Sequence, residues 1–237
     1  IHFKNYYGAN YKTNISFKTV STLPAASLSG QDDGWFEKNT LILNENFSAF
    51  YTMNLTTDDD QYPVSRVEIK DAEKYRGLSV VYADQKLTVT RDTDIALKDG
   101  TYKYTITPYI DVKGTEKALK SVTLSVKTTD ALPKVTLSSS SVKLNRNYHE
   151  TVYVDVKTSE IPAGAGLQGF DVNGDERIYI RCVPINENMT VRLNGDLPKG
   201  TYMYELTPEY NNGLKGTPIK FTVTVIDSEA KATVSVK

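Results

Sequence analysis

The chain has few of the residues from which most catalytic and metal sites are built. A zinc centre or a Ser-His-Asp triad needs histidines, of which the chain has two, and it has one cysteine. The single cysteine, Cys182, excludes an intramolecular disulfide, and its period-two neighbours predict that it faces a core. No apolar run approaches the roughly 18 residues that would indicate a membrane span. We therefore expect no catalysis, no cofactor and no membrane contact from this segment.

Neither sign of charge dominates. The 28 basic and 29 acidic residues give a formal net charge of −1, and both signs are interspersed along the chain. A nucleic-acid-binding protein usually carries a basic stripe, so we do not expect nucleic acid as a partner. The chain is instead rich in Thr, Val and tyrosine, which favour strands, whereas apolar residues at helical spacing are scarce. This composition predicts an all-β protein.

The sequence repeats itself about once every hundred residues. The segment Leu97–Pro108 recurs as Leu197–Pro208 at an offset of 100, and both copies contain Gly-Thr-Tyr-x-Tyr. Upstream, Leu43–Phe47 matches Leu144–Tyr148 at an offset of 101. Matches in the same order at a nearly constant offset indicate a duplicated structural unit.

A second recurring segment marks the boundaries of the units. Leu23–Ser29 parallels Leu132–Ser138, and a fainter copy lies near residue 230. The junctions are short, lack a Gly/Ser tract and carry a proline near two of them, so we expect limited swing between units. The predicted organisation is the last strands of a preceding repeat at 1–22, complete sandwich repeats at 23–131 and 132–229, and the start of a following repeat or a linker at 230–237.

Apolar residues alternate with polar ones inside each unit. Tyr51, Met53 and Leu55 follow this period-two pattern in the first unit, and Val152–Val156 follow it in the second. Turn signals such as Asn173-Gly174-Asp175 separate the predicted strands, and we expect this one to close a hairpin. About seven short strands per hundred residues predict a β-sandwich in each unit.

The Gly-Thr-Tyr-x-Tyr element refines this prediction. Tyr102 and Tyr202 occupy the position of the tyrosine corner, whose hydroxyl ties down the start of strand F in immunoglobulin domains. Tyr104 and Tyr204 stand two residues later, where those domains carry a disulfide cysteine. In this element the chain resembles the bacterial immunoglobulin-like and fibronectin-III-like tandem repeats of large cell-surface proteins.

The resemblance implies an all-β fold of tandem immunoglobulin-like β-sandwich domains. It also implies an extracellular or cell-surface location, with neighbouring repeats of the same chain as partners. Some repeats of this kind form an internal Lys–Asn/Asp isopeptide bond beside a buried acid. The sequence singles out no residues for such a bond here, so its presence stays open.

Two sequence patterns resemble ligand sites but lie in an unsuitable context. Gly164–Gly169 matches the dinucleotide pattern G-x-G-x-x-G, yet a predicted strand follows it instead of a helix, which indicates a flexible loop. Asp171, Asn173 and Asp175 match the first EF-hand ligand positions, but the required later glycine and glutamate are missing. Looser calcium binding at clusters such as Asp58–Asp60 stays open.

The first unit carries about eight extra residues between Leu28 and Leu43, including the adjacent pair Trp35 and Phe36. Such a pair is able to stack on a sugar or anchor a partner protein. More commonly it plugs a module junction or caps a sheet edge. Trp35 and Phe36 are therefore our candidate ligand contacts, with packing at the junction as the alternative.

Together these features predict a non-catalytic structural or adhesive repeat region that acts as the stalk or spacer of an extracellular bacterial surface protein. Three alternatives stay open. They are a module that binds carbohydrate or a host surface protein, an accessory region of a secreted polysaccharide-degrading enzyme, and a phage or virion decoration domain.

Overall fold

The computed structural model describes residues 2–4, 10–12, 22–31, 34–148 and 150–227. In that part of the chain the regular structure is β-strand, apart from one turn of 3-10 helix at Pro184–Asn186. No helix among the described residues is long and apolar enough to cross a membrane. Near the N-terminus, β1 (His2–Lys4) pairs with β2 (Asn10–Lys12) in antiparallel fashion. The prediction for residues 1–22 falls mostly outside the described residues, and the one for 230–237 falls entirely outside them.

The first sandwich consists of two facing sheets. One sheet has the strand order β3-β6-β9-β8. In the other, β10 pairs with β7 along one edge and with β12 and β11 along the opposite edge, and β5 and β4 follow β12. The strands are β3 (Ala26–Ser29), β4 (Phe36–Glu37), β5 (Thr40–Leu43), β6 (Phe50–Thr57), β7 (Val64–Lys70), β8 (Leu78–Ala83), β9 (Lys86–Arg91), β10 (Gly100–Val112), β11 (Thr115–Ala118) and β12 (Val122–Thr128).

The second sandwich repeats this arrangement with fewer short strands. Its sheets have the orders β13-β15-β18-β17 and β14-β20-β19-β16. The strands are β13 (Lys134–Leu137), β14 (Ser141–Asn145), β15 (Thr151–Ser159), β16 (Leu167–Asn173), β17 (Ile178–Val183), β18 (Asn188–Leu193), β19 (Gly200–Tyr210) and β20 (Ile219–Ile226).

The two sandwiches share one topology. In each, a short strand after the first (β5 or β14) runs parallel to the last long strand (β12 or β20). The remaining named pairs in both sandwiches are antiparallel. In immunoglobulin-like sandwiches one sheet holds strands A, B, E and D and the other holds C, F and G. Here the first set is β3, β6, β9 and β8, or β13, β15, β18 and β17, and the second set is β7, β10 and β12, or β16, β19 and β20. The prediction of tandem immunoglobulin-like β-sandwiches is confirmed.

Each sandwich encloses its own apolar core. In β19 the buried side chains of Tyr204 and Leu206 alternate with the exposed Met203 and Glu205, which is the period-two pattern of a strand with one face on the core. Cys182 lies in the second core at 8% exposure. Burial raises the pKa of its thiol to about 11, so it is an unreactive thiol at neutral pH.

The prediction of a hairpin turn at Asn173-Gly174-Asp175 is wrong. The strand before the turn, β16, pairs with β19, whereas the strand after it, β17, pairs with β18. The turn therefore carries the chain from one sheet to the other. A Cβ at Gly174 would lie 2.2 Å from the Tyr204 ring, so the turn needs glycine because this core tyrosine packs directly against its backbone. Period-two patterns alone do not distinguish a hairpin from a connection between sheets.

Candidate functional site

The two tyrosines predicted at the corner position make equivalent hydrogen bonds. The hydroxyl of Tyr102 donates to the carbonyl oxygen of Lys98 at 2.8 Å, and that of Tyr202 donates to the carbonyl oxygen of Pro198 at 2.8 Å. Each bond ties the start of strand F to the loop four residues upstream. These are the hydrogen bonds expected of a tyrosine corner, and the structural role of Tyr102 and Tyr202 stays a prediction.

The second tyrosine of each Gly-Thr-Tyr-x-Tyr element fills the core. Tyr104 and Tyr204 are both buried, and burial raises the pKa of each hydroxyl to about 12. The Tyr204 hydroxyl donates to the carbonyl oxygen of Asp175 at 2.8 Å. The Tyr104 hydroxyl has no hydrogen-bond partner within the described part of the chain, and its ring packs edge-on against Tyr75. Tyr104 and Tyr204 thus fill core positions at which antibody domains carry a disulfide cysteine.

The two sandwiches contact each other at a packed junction. The loop between β15 and β16 packs against the first sandwich, and the amide of Ala163 donates to the carbonyl oxygen of Ile42 at 2.8 Å. The Ala163 side chain is 1% exposed and belongs to the core of the first sandwich. A Cβ at Gly164 would lie 3.1 Å from Cβ of Ser48, and its φ of +80° also favours glycine. A residue of the second sandwich therefore completes the core of the first.

Trp35 lies at this junction, and its neighbour Phe36 packs within the first sandwich. The Trp35 indole nitrogen donates to the carbonyl oxygen of Ala165 at 3.0 Å, and its ring meets the Tyr51 ring edge-on at 6.4 Å. The Phe36 ring is stacked with the same tyrosine, with 6.4 Å between the ring centroids. Both side chains are half-buried against the first core. This geometry favours the packing alternative, and ligand contact by the pair stays a prediction.

The turn after β19 supplies a second set of junction contacts. The ring of Tyr210 meets Phe47 edge-on at 5.9 Å, and the Asn212 side-chain amide donates to the carbonyl oxygen of Asn46 at 2.7 Å. The Tyr210 hydroxyl also donates to the carbonyl oxygen of Pro133, in the segment that links the sandwiches. These bonds join the second sandwich both to the first and to the linker itself.

A buried arginine fixes the end of the first sandwich from which the linker leaves. Arg91 is 4% exposed and pairs with Glu45 at 3.1 Å and with Asp130 at 3.4 Å. The corresponding position of β18 carries Leu193. Sequence reasoning missed this residue, although a charge in phase with the apolar Leu87 and Val89 was a visible signal of it.

The ligand-like sequence patterns have structural roles. Of the predicted flexible loop at 164–169, residues 164–166 belong to the junction loop, whereas residues 167–169 begin β16. Asn211 holds the loop by accepting from the Gly166 amide at 3.2 Å and donating to the Gly164 carbonyl at 2.8 Å. The Asp171 carboxylate pairs with Lys215 at 2.6 Å. No group of three or more His, Cys, Asp or Glu side chains among the described residues is arranged to hold a metal. In the same part of the chain no lysine is buried.

No protein-family model matches the chain, and no curated protein matches it. Solved structures similar to it include domains 4 and 5 of the S-layer protein SbsC, at 16% identity and a TM-score of 0.41, covering 85% of this chain and 97% of that one. The fibronectin(III)-like modules of Clostridium thermocellum CbhA match at 13% identity and 0.32, covering 89% of this chain and 100% of theirs. The D00-D0 domain of intimin matches at 13% identity and 0.33, covering 83% and 98%. By its own strand order, the chain is a tandem of immunoglobulin-like β-sandwiches.

Proposed function

We propose that this chain is a non-catalytic spacer in an extracellular bacterial surface protein, and that the packed junction fixes the angle between its two sandwiches. The observation that carries the proposal is the position of Ala163, which belongs to the second sandwich and is buried in the core of the first. Swinging the sandwiches apart would expose this core and break the Ala163–Ile42 hydrogen bond.

The composition of the junction supports a stiff connection. Domains in one chain move relative to each other unless their interface is large and apolar. Here the buried Ala163 and the Phe47–Tyr210 ring contact are joined by the Trp35–Ala165 hydrogen bond and by the Lys127–Glu160 ion pair at 2.7 Å. Five residues separate the end of β12 from the start of β13, which leaves little slack. A spacer needs this property, because its length in the array depends on a reproducible angle at each junction.

The test is a distance measurement between the sandwiches. The equivalent exposed positions Thr101 and Thr201 are replaced by cysteine and spin-labelled; the native Cys182 is buried and its raised pKa keeps it unreactive. We expect a narrow distance distribution between the labels in the intact chain. Trp35→Ala should broaden it, whereas Phe50→Ala, at a residue 59% exposed, should not. A variant with a Gly/Ser insertion after Asp130 serves as the flexible reference. If the intact chain gives a distance distribution as broad as this variant does, the proposal is contradicted.

The location is tested separately. Antibodies raised against the chain should label intact cells of the source organism, and mild external proteolysis should remove that label. Labelling only after permeabilisation would contradict an extracellular position, whatever the stiffness of the junction.

A further inference from the structure

The outer face of one sheet of the second sandwich carries an unusual set of side chains. The sheet is β13-β15-β18-β17. Along each of its strands, alternate side chains face the core and the ones between them point outward. Two tyrosines and four cations share this face with one acidic residue, Asp155. We define the Tyr/Arg face by Lys134, Tyr153, Lys157, Tyr179, Arg181 and Arg192.

The strand register places these side chains in adjacent rows. Tyr153 and Arg181 flank Thr190 in one row, and Tyr179 lies beside Arg192 in the next. Successive residues on one face of a strand are about 7 Å apart, so the rows form a continuous patch. The Tyr153 side chain is 66% exposed, and the Arg192 guanidinium lies over the Tyr179 ring at 4.7 Å from its centroid.

The charge on this face is local. The whole chain has a net charge of −1, yet the face has four cations and one anion. Within the described part of the chain, neither Arg181 nor Arg192 has a carboxylate within ion-pair distance. Near the end of β18, Arg192 also borders a surface cleft together with Arg146, Asn194 and Asp196. The face therefore presents donors for an anion that the sandwich itself does not supply.

The first sandwich provides an internal reference. Its equivalent sheet has the same register, since Val81 and Thr52 flank Thr88 as Arg181 and Tyr153 flank Thr190. The single charged residue on that face is Lys86. The fold therefore does not require tyrosine or arginine at these positions. Thr52, Ser79, Val81 and Thr90 stand where the second sandwich has Tyr153, Tyr179, Arg181 and Arg192.

We propose that the Tyr/Arg face binds an anionic polysaccharide. A tyrosine ring offers a rigid apolar surface for the C–H face of a sugar, and its hydroxyl remains available to solvent or ligand. Arginine presents paired donors that match a carboxylate or sulfate. The outer face of a four-stranded sheet accommodates an extended polymer across its rows. This inference is independent of the proposed spacer role, because Tyr153, Arg181 and Arg192, the residues that its test replaces, make none of the junction contacts.

The charge spacing favours a polysaccharide over a nucleic acid. A nucleic-acid strand carries one phosphate per about 3.4 Å, and its binding surfaces neutralise several of them with closely spaced cations. Here four cations are spread over four strands with about 4.8 Å between neighbouring strands, and Asp155 lies among them. That density suits a polymer with one charge per sugar or fewer.

The test measures binding of the full chain to four probes: κ-carrageenan as a sulfated polymer, polyglucuronate as a carboxylated one, dextran as a neutral one, and a single-stranded oligonucleotide. We expect binding to κ-carrageenan, polyglucuronate or both, with no binding to dextran. Affinity should fall as salt is raised, because the screening length shortens from about 10 Å at 0.1 M to about 3 Å at 1 M. Comparing the first two probes identifies which acidic group the face prefers.

The matched variant replaces the face with the residues of the first sandwich: Tyr153→Thr, Arg181→Val and Arg192→Thr together. The equivalent sheet of the first sandwich accepts these residues, so the variant should fold, and its melting temperature tests this.

We expect the triple variant to bind the acidic polymers at least about tenfold more weakly, because the loss of one charge-assisted contact already implies this reduction. Met203→Thr, at a residue 71% exposed on the other sheet, is the control and should bind normally. Three results would overturn the proposal: failure to bind either acidic polymer, unchanged binding by the triple variant, or tighter binding to the oligonucleotide than to the acidic polymers. None of these results would affect the distance test of the spacer.

Discussion

The indole nitrogen of Trp35 hydrogen-bonds the carbonyl oxygen of Ala165, which lies 130 residues later in the other sandwich. The bond closes over the loop that inserts Ala163 into the first core. Trp35 therefore acts as a clamp on the junction, and the inserted segment that carries it has no counterpart in the second unit.

Loss of this clamp should expose the junction backbone to solvent. We expect Trp35→Ala to speed hydrogen exchange at the Ala163 amide, which donates to Ile42, because the loop then opens more often. Trp35→Phe keeps an apolar ring but removes the donor, so its effect should be intermediate. Phe50→Ala serves as the exposed aromatic control and should leave the exchange rate unchanged. Equal protection of Ala163 in all four proteins would show that Trp35 does not hold the loop.

The two core tyrosines should respond oppositely to loss of the hydroxyl. Tyr204→Phe removes a hydrogen bond to Asp175 and should lower the free energy of unfolding of the second sandwich by about 0.5–1.5 kcal/mol. Tyr104→Phe removes a buried hydroxyl that has no partner among the described residues, so stability should stay the same or rise by up to about 1 kcal/mol. Denaturant titration measures both values. A larger loss for Tyr104→Phe than for Tyr204→Phe would contradict the assigned contacts.

Local patterns in the sequence were sufficient for the fold. The period-two alternation and the repeated Gly-Thr-Tyr-x-Tyr element located the strands, because burial of one sheet face imposes that spacing on any sequence. The hairpin prediction at Asn173-Gly174-Asp175 failed because it depended on which strands pair. Pairing between β16 and β19 is a long-range contact that a turn sequence does not encode.

The junction was only partly visible in the sequence. Trp35 was identified because it interrupts the repeat, and the short linker suggested limited motion. The sequence did not reveal that Ala163 enters the neighbouring core, since a small apolar residue in a glycine-rich loop has no distinctive pattern. The Tyr/Arg face was also missed, because the outward positions of a strand become a surface only when the sheet order is known.

The turn between the sheets should not tolerate a side chain at Gly174. Alanine there would place its Cβ 2.2 Å from the Tyr204 ring, and the core must shift to relieve this clash. We expect Gly174→Ala to destabilise the second sandwich by about 1–3 kcal/mol, the usual cost of overpacking. Gly169→Ala is the matched control, since no atom lies within 4 Å of its Cβ position. Thermal unfolding distinguishes them, and similar stability of the two variants would contradict the packing of Tyr204 against the turn.

The acid stability of the second sandwich should depend on the carboxyl of Asp175. Its side-chain hydrogen bonds with Arg177, reinforced by the Arg177 backbone amide, lower the pKa of Asp175 from 3.8 to about 2. Because the folded-state pKa lies below the unfolded one, the charged carboxylate stabilises the fold above about pH 4, and this contribution is lost as the pH falls toward 2. Arg177→Leu should return the pKa of Asp175 toward 3.8 and remove this part of the pH dependence, whereas Arg181→Leu should change neither. Titration of the Asp175 carboxyl carbon by NMR measures its pKa directly. An ordinary pKa for Asp175 in the unaltered chain would contradict the pairing with Arg177.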